Sequence, residues 1–268
     1  MFVTRLISGI VLVLIALLTI ISGGYVLFVT LLLISLIGLN ELYRAMKVES
    51  EQTHGLAMVG YIGTAGYYFM LLFGFEAYSM IGLIFLLVAF MFVYVFTFPK
   101  YRAEQVMAGF FGVAYVSVML SYIFQTRNLQ DGAFIVWLIF LCSWGCDTCA
   151  YCVGVLIGKH KMSPKLSPKK SIEGAVGGVV GAALLGAIYA AVIGKYLEAQ
   201  NQIAVYAVIC GIGALISMVG DLAASAIKRN HDIKDYGKLI PGHGGILDRF
   251  DSVIFTAPVI YFLATLFN

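Results

Sequence analysis

The sequence predicts an all-α, polytopic membrane protein of about nine transmembrane helices, with a cytoplasmic N-terminus and the C-terminus outside. Three observations predict it. The 268 residues are 61% hydrophobic and only 12% charged, where a soluble domain carries roughly 25% charge. Mean hydropathy is +0.96. The apolar residues also gather into nine runs, each near the roughly 20 residues a helix needs to cross the hydrocarbon of a bilayer.

The first run, 6–22, has no small-residue cleavage site and leads at once into the second, 25–40, so it reads as an anchor rather than a signal peptide. Runs 56–74, 79–98 and 106–125 have few polar groups. They complete an N-terminal region, residues 1–130, of about five helices with a supporting, dimer-forming or lipid-facing role. Residues 131–268 form the expected catalytic region. Its first run, 133–157, carries Asp147 and the cysteines 142, 146, 149 and 152. At 3.6 residues per turn the Cys146, Cys149 and Cys152 side chains spread around the helix and cannot share one ion without unwinding it. They read as small packing residues. Run 175–194 opens with Gly174/Gly178 and Gly177/Gly181, a spacing that lets helices approach closely, either in tight packing around a site or at a dimer seam. Run 203–224 carries Gly211, Gly213 and Gly220, and 252–267 ends the chain.

Nine spans put the N-terminus and the loops after even-numbered spans on one side. All of the 17 basic residues except Arg127 and Lys195 fall there. Lys and Arg accumulate in the cytoplasm, so that side is cytoplasmic, and the expected location is the cell (inner or plasma) membrane. Two of these loops, 158–174 and 225–251, hold most of the charge.

The second loop is the densest polar stretch of the chain. Ser225–Asp251 packs five basic residues, four acids, two histidines and four glycines into 27 positions. Charge is expensive near lipid, and this composition suits holding polyphosphate and a divalent metal at a membrane surface. Asp221, Ser225 and Lys228 share a helix face if the preceding span continues, as do Asp248 and Asp251 if the last span begins there. Magnesium takes one or two carboxylates plus phosphate oxygens and waters. Asp221 and Asp248 are candidate ligands from different helices, with Asp147 a third. Charge pairing with Lys228 and Arg249 is the alternative. In Pro241-Gly242-His243-Gly244-Gly245 the glycines allow close backbone approach to phosphate, with His243 as a donor.

In the first loop, Pro164 and Pro168 forbid continuous helix. Lys159, Lys169 and Lys170 alternate with Ser167 and Ser171, as an extended phosphate-binding segment needs. A loop that merely fixes topology is the alternative. Asp147, well inside its span, costs on the order of 3 kcal/mol on insertion scales. It faces a polar cavity, a cation or a polar neighbour on another helix.

These residues resemble the phosphatidate cytidylyltransferase family, the CDP-diacylglycerol synthases. Ser225, Lys228-Arg229, Lys234-Asp235, Gly237, Pro241, His243-Gly244-Gly245, Asp248-Arg249 and Asp251 stand at the spacing of that family's signature. Asp147, Ala150-Tyr151, Gly154, Gly158-Lys159, Ser167-Pro168 and Lys170-Ser171 extend the likeness over roughly 140–252. One position departs: members often carry a basic residue after the glycine at 154, and this chain has Val155. The resemblance implies transfer of CMP from CTP to phosphatidate, giving CDP-diacylglycerol and pyrophosphate. It also implies a magnesium centre at Asp221 and Asp248, room for potassium as a second cation, and a homodimer.

The residues suit that chemistry. A lipid phosphate monoester, with its second pKa near about 6, is already largely dianionic at neutral pH, so no strong base is needed. Relief of anion repulsion and stabilisation of pyrophosphate fall to the metal and to Lys and Arg. The expected catalytic set is Lys228, Arg229, Asp248, Arg249 and Asp251. Phosphate binding is expected of Lys159, Ser167, Lys169, Lys170, Ser171, Ser225, Lys234, His243, Gly244 and Gly245. Competing readings are a CTP-dependent transferase for another lipid phosphate or a lipid alcohol, and a cation-coupled transporter with Asp147 and Asp221 as ion ligands. No nucleic-acid partner is expected.

Overall fold

The computed structural model describes residues 2–48, 54–197 and 202–267, with side chains from residue 7 onward. Among these residues the long helices are α1 (Phe2–Ser22), α2 (Gly24–Ala45), α3 (Gly55–Leu72), α4 (Ser79–Phe96), α5 (Ala103–Arg127), α6 (Gly132–Ile157), α7 (Ile172–Ile193), α8 (Ile203–Asn230) and α9 (Leu247–Phe267). Eight are long and apolar enough to cross a membrane, while the described part of α1, Ile7–Ser22, is a shorter apolar stretch. The expected spans appear in order. The ends of α8 and α9 differ in one direction: α8 runs on to Asn230 and α9 begins at Leu247. Hydropathy marks only the apolar part of a helix, whereas Asp, Lys and Arg continue its backbone. Asp221, Ser225 and Lys228 therefore lie on one continuous helix, and Asp248 and Asp251 on another, as the spacing predicts.

Two spans contain a π-helical turn, Val113–Val118 in α5 and Leu141–Gly145 in α6. Such turns are rare and concentrate near functional sites; the second leads directly into the Asp147 segment. The proline-rich loop after α6 folds as a small antiparallel hairpin, β1 (Lys161–Ser163) and β2 (Ser167–Ser171), with Ser163 opposite Ser167 and Lys161 opposite Ser171. The extended reading of this loop anticipated its backbone but not its pairing.

The chain divides into two compact units. One comprises residues 1–121 and 231–249. Its core gathers Leu39, Tyr43, Leu56, Phe90, Val106 and Val113. Three hydrogen bonds join polar side chains inside its spans, where lipid offers no partner: Tyr43 donates to the Gly109 carbonyl at 2.6 Å, Ser35 meets Tyr68 at 2.7 Å, and Thr64 meets Ser117 at 2.8 Å. The other unit comprises 122–230 and 250–268. Here α7 packs through its glycines. A Cβ at Gly177 would sit 2.5 Å from Val153, one at Gly181 2.5 Å from Cys149, and one at Gly178 3.0 Å from Ala150, Cys146 and Met218. The small-residue spacing thus serves close packing within the chain. Cys142, Cys146 and Cys210 are buried free thiols.

Candidate active site

In the second unit, α6, the hairpin, α7 and α8 enclose a cleft of about 480 Å³ lined by Asp147, Tyr151, Val155, Lys161, Lys169, Lys170, Ser171 and Asp221, among others. Each wall has a local cause. Asp147 is the second residue after the π turn of α6. Lys169 and Lys170 project from β2. Ser171 ends the strand and caps α7, its Oγ accepting the Gly174 N–H at 3.1 Å. Gly154, Gly158 and Gly174 surround that hydroxyl, and a Cβ on any of them would crowd it. Glu173 fastens the start of the loop: it accepts the backbone N–H of Lys159 and His160, and pairs with the His160 ring at 2.6 Å.

The electrostatics of the cleft are mixed in sign. Lys170 forms an ion pair with Asp221. Asp251, at the start of α9, has Asp221, Lys228 and Asp147 as its charged neighbours. The fold thus sets Asp221 and Asp147, carboxylates from two other helices of the same unit, within electrostatic reach of Asp251, together with Lys228. Of the expected phosphate binders, Lys169, Lys170 and Ser171 line the cleft. Lys159 precedes the hairpin and is exposed, Ser167 opens β2, and Ser225 and Arg229 lie further along α8. Val155 also lines the cleft and presents an apolar side chain there.

The glycine-rich segment belongs to the first unit and is organised around two carboxylates. Asp248, 6% exposed, accepts the N–H of Tyr236 at 2.8 Å and of Gly245 at 3.0 Å, both on Oδ2. Ile240 and Gly244 form a bridge, with the Ile240 N–H donating to the Gly244 carbonyl at 2.9 Å. Gly242 and Gly244 have φ of 78° and 85°, left-handed conformations that a side chain would strain. The Gly245 N–H, on the segment expected to bind phosphate, donates to Asp248. His243 is oriented by α1: Ser8 Oγ lies 2.8 Å from its Nδ1 and donates to the Pro241 carbonyl at 3.1 Å. Lys234 is exposed, and the Nε of Arg249 is a buried donor without a hydrogen-bond partner among the described residues.

The second carboxylate is Glu41, on α2, which accepts the N–H of Ile246 at 3.1 Å and of Leu247 at 2.9 Å. Sequence reasoning missed it. An acid near the end of an apolar run reads as a boundary charge, and its partners, two backbone amides some two hundred positions away, leave no side-chain signal.

Comparison with known proteins adds an independent line. A model described as the cytidylyltransferase family matches residues 3–267. Phosphatidate cytidylyltransferase of Staphylococcus epidermidis is 33% identical over 267 residues, 97% of each chain. That of Staphylococcus saprophyticus is 30% identical over 269 residues, again 97% of each. The protein of the same name from Bacillus subtilis is 34% identical over 167 residues, 60% of this chain and 59% of its own.

Proposed function

The chain belongs to the cytidylyltransferase family, and on that premise we propose that it transfers CMP from CTP to phosphatidate at the cleft of the second unit. It is a multi-pass membrane enzyme of CDP-diacylglycerol synthesis. The observation that carries the assignment of the site is the cleft itself, which Lys161, Lys169 and Lys170 line together with Asp147 and Asp221, two acids carried within apolar helices.

A phosphate oxygen of phosphatidate attacks the α-phosphorus of CTP. The new P–O bond forms as the bond to the oxygen bridging the α- and β-phosphorus breaks, and pyrophosphate leaves with the electron pair. The attacking phosphate is largely dianionic at neutral pH, so no protein base is required. The lysines hold two mutually repelling anions in register and neutralise charge on the leaving group.

The donor chemistry fits magnesium. Asp221 and Asp147 are hard oxygen donors lining one cleft, and both lie within electrostatic reach of the Asp251 carboxylate. Among the described residues no three His, Cys, Asp or Glu side chains form a closed metal cage. Mg²⁺ needs only one or two carboxylates, its shell being completed by phosphate oxygens and water. When bound, the ion would neutralise charge on the triphosphate. The family resemblance adds Asp248 to the ligand proposal and potassium as a second cation. The same reading sets the cleft on the cytoplasmic face of the cell membrane, where CTP is available, and makes the working form a homodimer.

The test is pyrophosphate release by detergent-purified protein given CTP, phosphatidate and Mg²⁺, with ATP and a lipid alcohol as controls. Release that requires all three components is expected. Release with another lipid phosphate but not with phosphatidate would overturn the substrate assignment. Full activity after chelation of divalent metal would overturn the metal.

A further inference from the structure

The Glu41 carboxylate sits where an ordinary boundary charge would not. It is 7% exposed, near the end of α2, and each of its oxygens accepts one backbone N–H where α9 begins, from Ile246 just before the helix and from Leu247, its first residue. The leading amides of a helix have no acceptor within the helix, and a carboxylate there is favoured by the helix dipole as well. Two glycines of the signature segment stand against this carboxylate. A Cβ on Gly237 or on Gly245 would fall inside van der Waals contact of its oxygens. The segment is therefore shaped around Glu41, and the residues that follow directly are Asp248 and Arg249.

We propose that Glu41 is a positioning residue for cytidylyl transfer: it fixes the start of α9 and so the direction in which Asp248 and Arg249 are presented. The inference rests on the function proposed above and adds a residue from outside the signature region. Glu41 directs both carboxylate oxygens at backbone amides. Its effect passes through the backbone of residues 245–247, and a displacement of about 1 Å in groups acting on a transition state can cost about 100-fold in rate. The lysines of the cleft, which hold the anionic substrates, are not on this segment, so the loss should fall on kcat rather than on KM.

The variant is Glu41→Gln, which offers one oxygen to two N–H donors and turns its NH₂ towards one of them. Glu104→Gln, on the exposed start of α5, serves as the control. Three readouts are taken on detergent-purified protein: kcat and KM for CTP by pyrophosphate release, thermal stability, and hydrogen exchange of the 245–247 amides. Glu41→Gln is expected to melt close to wild type, to lose about 10- to 100-fold in kcat with KM for CTP within about threefold, and to exchange these amides faster. Wild-type kcat in folded Glu41→Gln would overturn the proposal, as would a raised KM with kcat unchanged. So would a melting loss with full activity in the fraction that remains folded. Should Glu41→Gln not fold, Gly245→Ala, which crowds the carboxylate while keeping its charge, is judged by the same criteria. A wild-type chain that releases no pyrophosphate, while Glu41→Gln still loosens these amides, would instead sink the underlying function.

Discussion

Replacing Asp248 separates two duties that one side chain performs. Its Oδ2 accepts two buried N–H groups, Tyr236 at 2.8 Å and Gly245 at 3.0 Å. A hydrogen bond to a charged acceptor contributes about 1.5–3 kcal/mol, so Asp248→Ala removes about 3–6 kcal/mol by this count. That is a large share of the ordinary stability of about 5–15 kcal/mol. Asp248→Asn keeps an oxygen at the Oδ2 position and loses only the charge. Neutral hydrogen bonds are roughly half as strong, so the asparagine variant should lose about 1.5–3 kcal/mol. Both variants should lose turnover, since the negative charge is gone from each. Unfolding can be followed with a thiol-reactive dye, because Cys142, Cys146 and Cys210 are buried, with exposed Cys152 setting the baseline. Hydrogen exchange at Tyr236 and Gly245 reads the segment directly. If the two variants unfold alike and protect these amides alike, the reasoning that Asp248 closes this segment is refuted.

Other expectations follow from the same geometry. Lys170→Met strips Asp221 of its ion-pair partner and the cleft of a cation; kcat/KM for CTP should fall by about 100-fold, measured by pyrophosphate release. Gly177→Ala drives a methyl to 2.5 Å from the branched Val153 side chain and should cost about 1–3 kcal/mol, read as a lower melting temperature. Ser171→Ala removes the N-cap of α7 and should cost about 1 kcal/mol in the same assay.

The helices were legible because lipid imposes one requirement, a long apolar run, and the chain meets it again and again. The shared faces of Asp221 with Lys228 and of Asp248 with Asp251 were legible too, since helical periodicity fixes them once the helices continue. Backbone partners were not. The hairpin's register depends on which serines face each other, and prolines signal only an extended path. A glycine in a polar loop fits either a ligand or a neighbouring side chain, and the sequence does not say which side chain stands against Gly245. Here the neighbour is Glu41. The carboxylates that organise the signature segment act on amides, which every residue but proline carries, so no spacing rule reveals them.

The glycine seam of α7 carries a consequence for how this chain tolerates change. A contact between ordinary side chains can absorb a substitution by switching rotamers. The face holding Gly174, Gly177, Gly178 and Gly181 has no rotamers to switch, so an added methyl there must be accommodated by moving whole helices. The opposite stripe, Val176, Val180, Leu184, Ile188 and Val192, is more than half exposed at every position. A saturation library over α7 should therefore split sharply by face, with apolar residues of any shape accepted on the stripe and almost nothing but glycine on the seam.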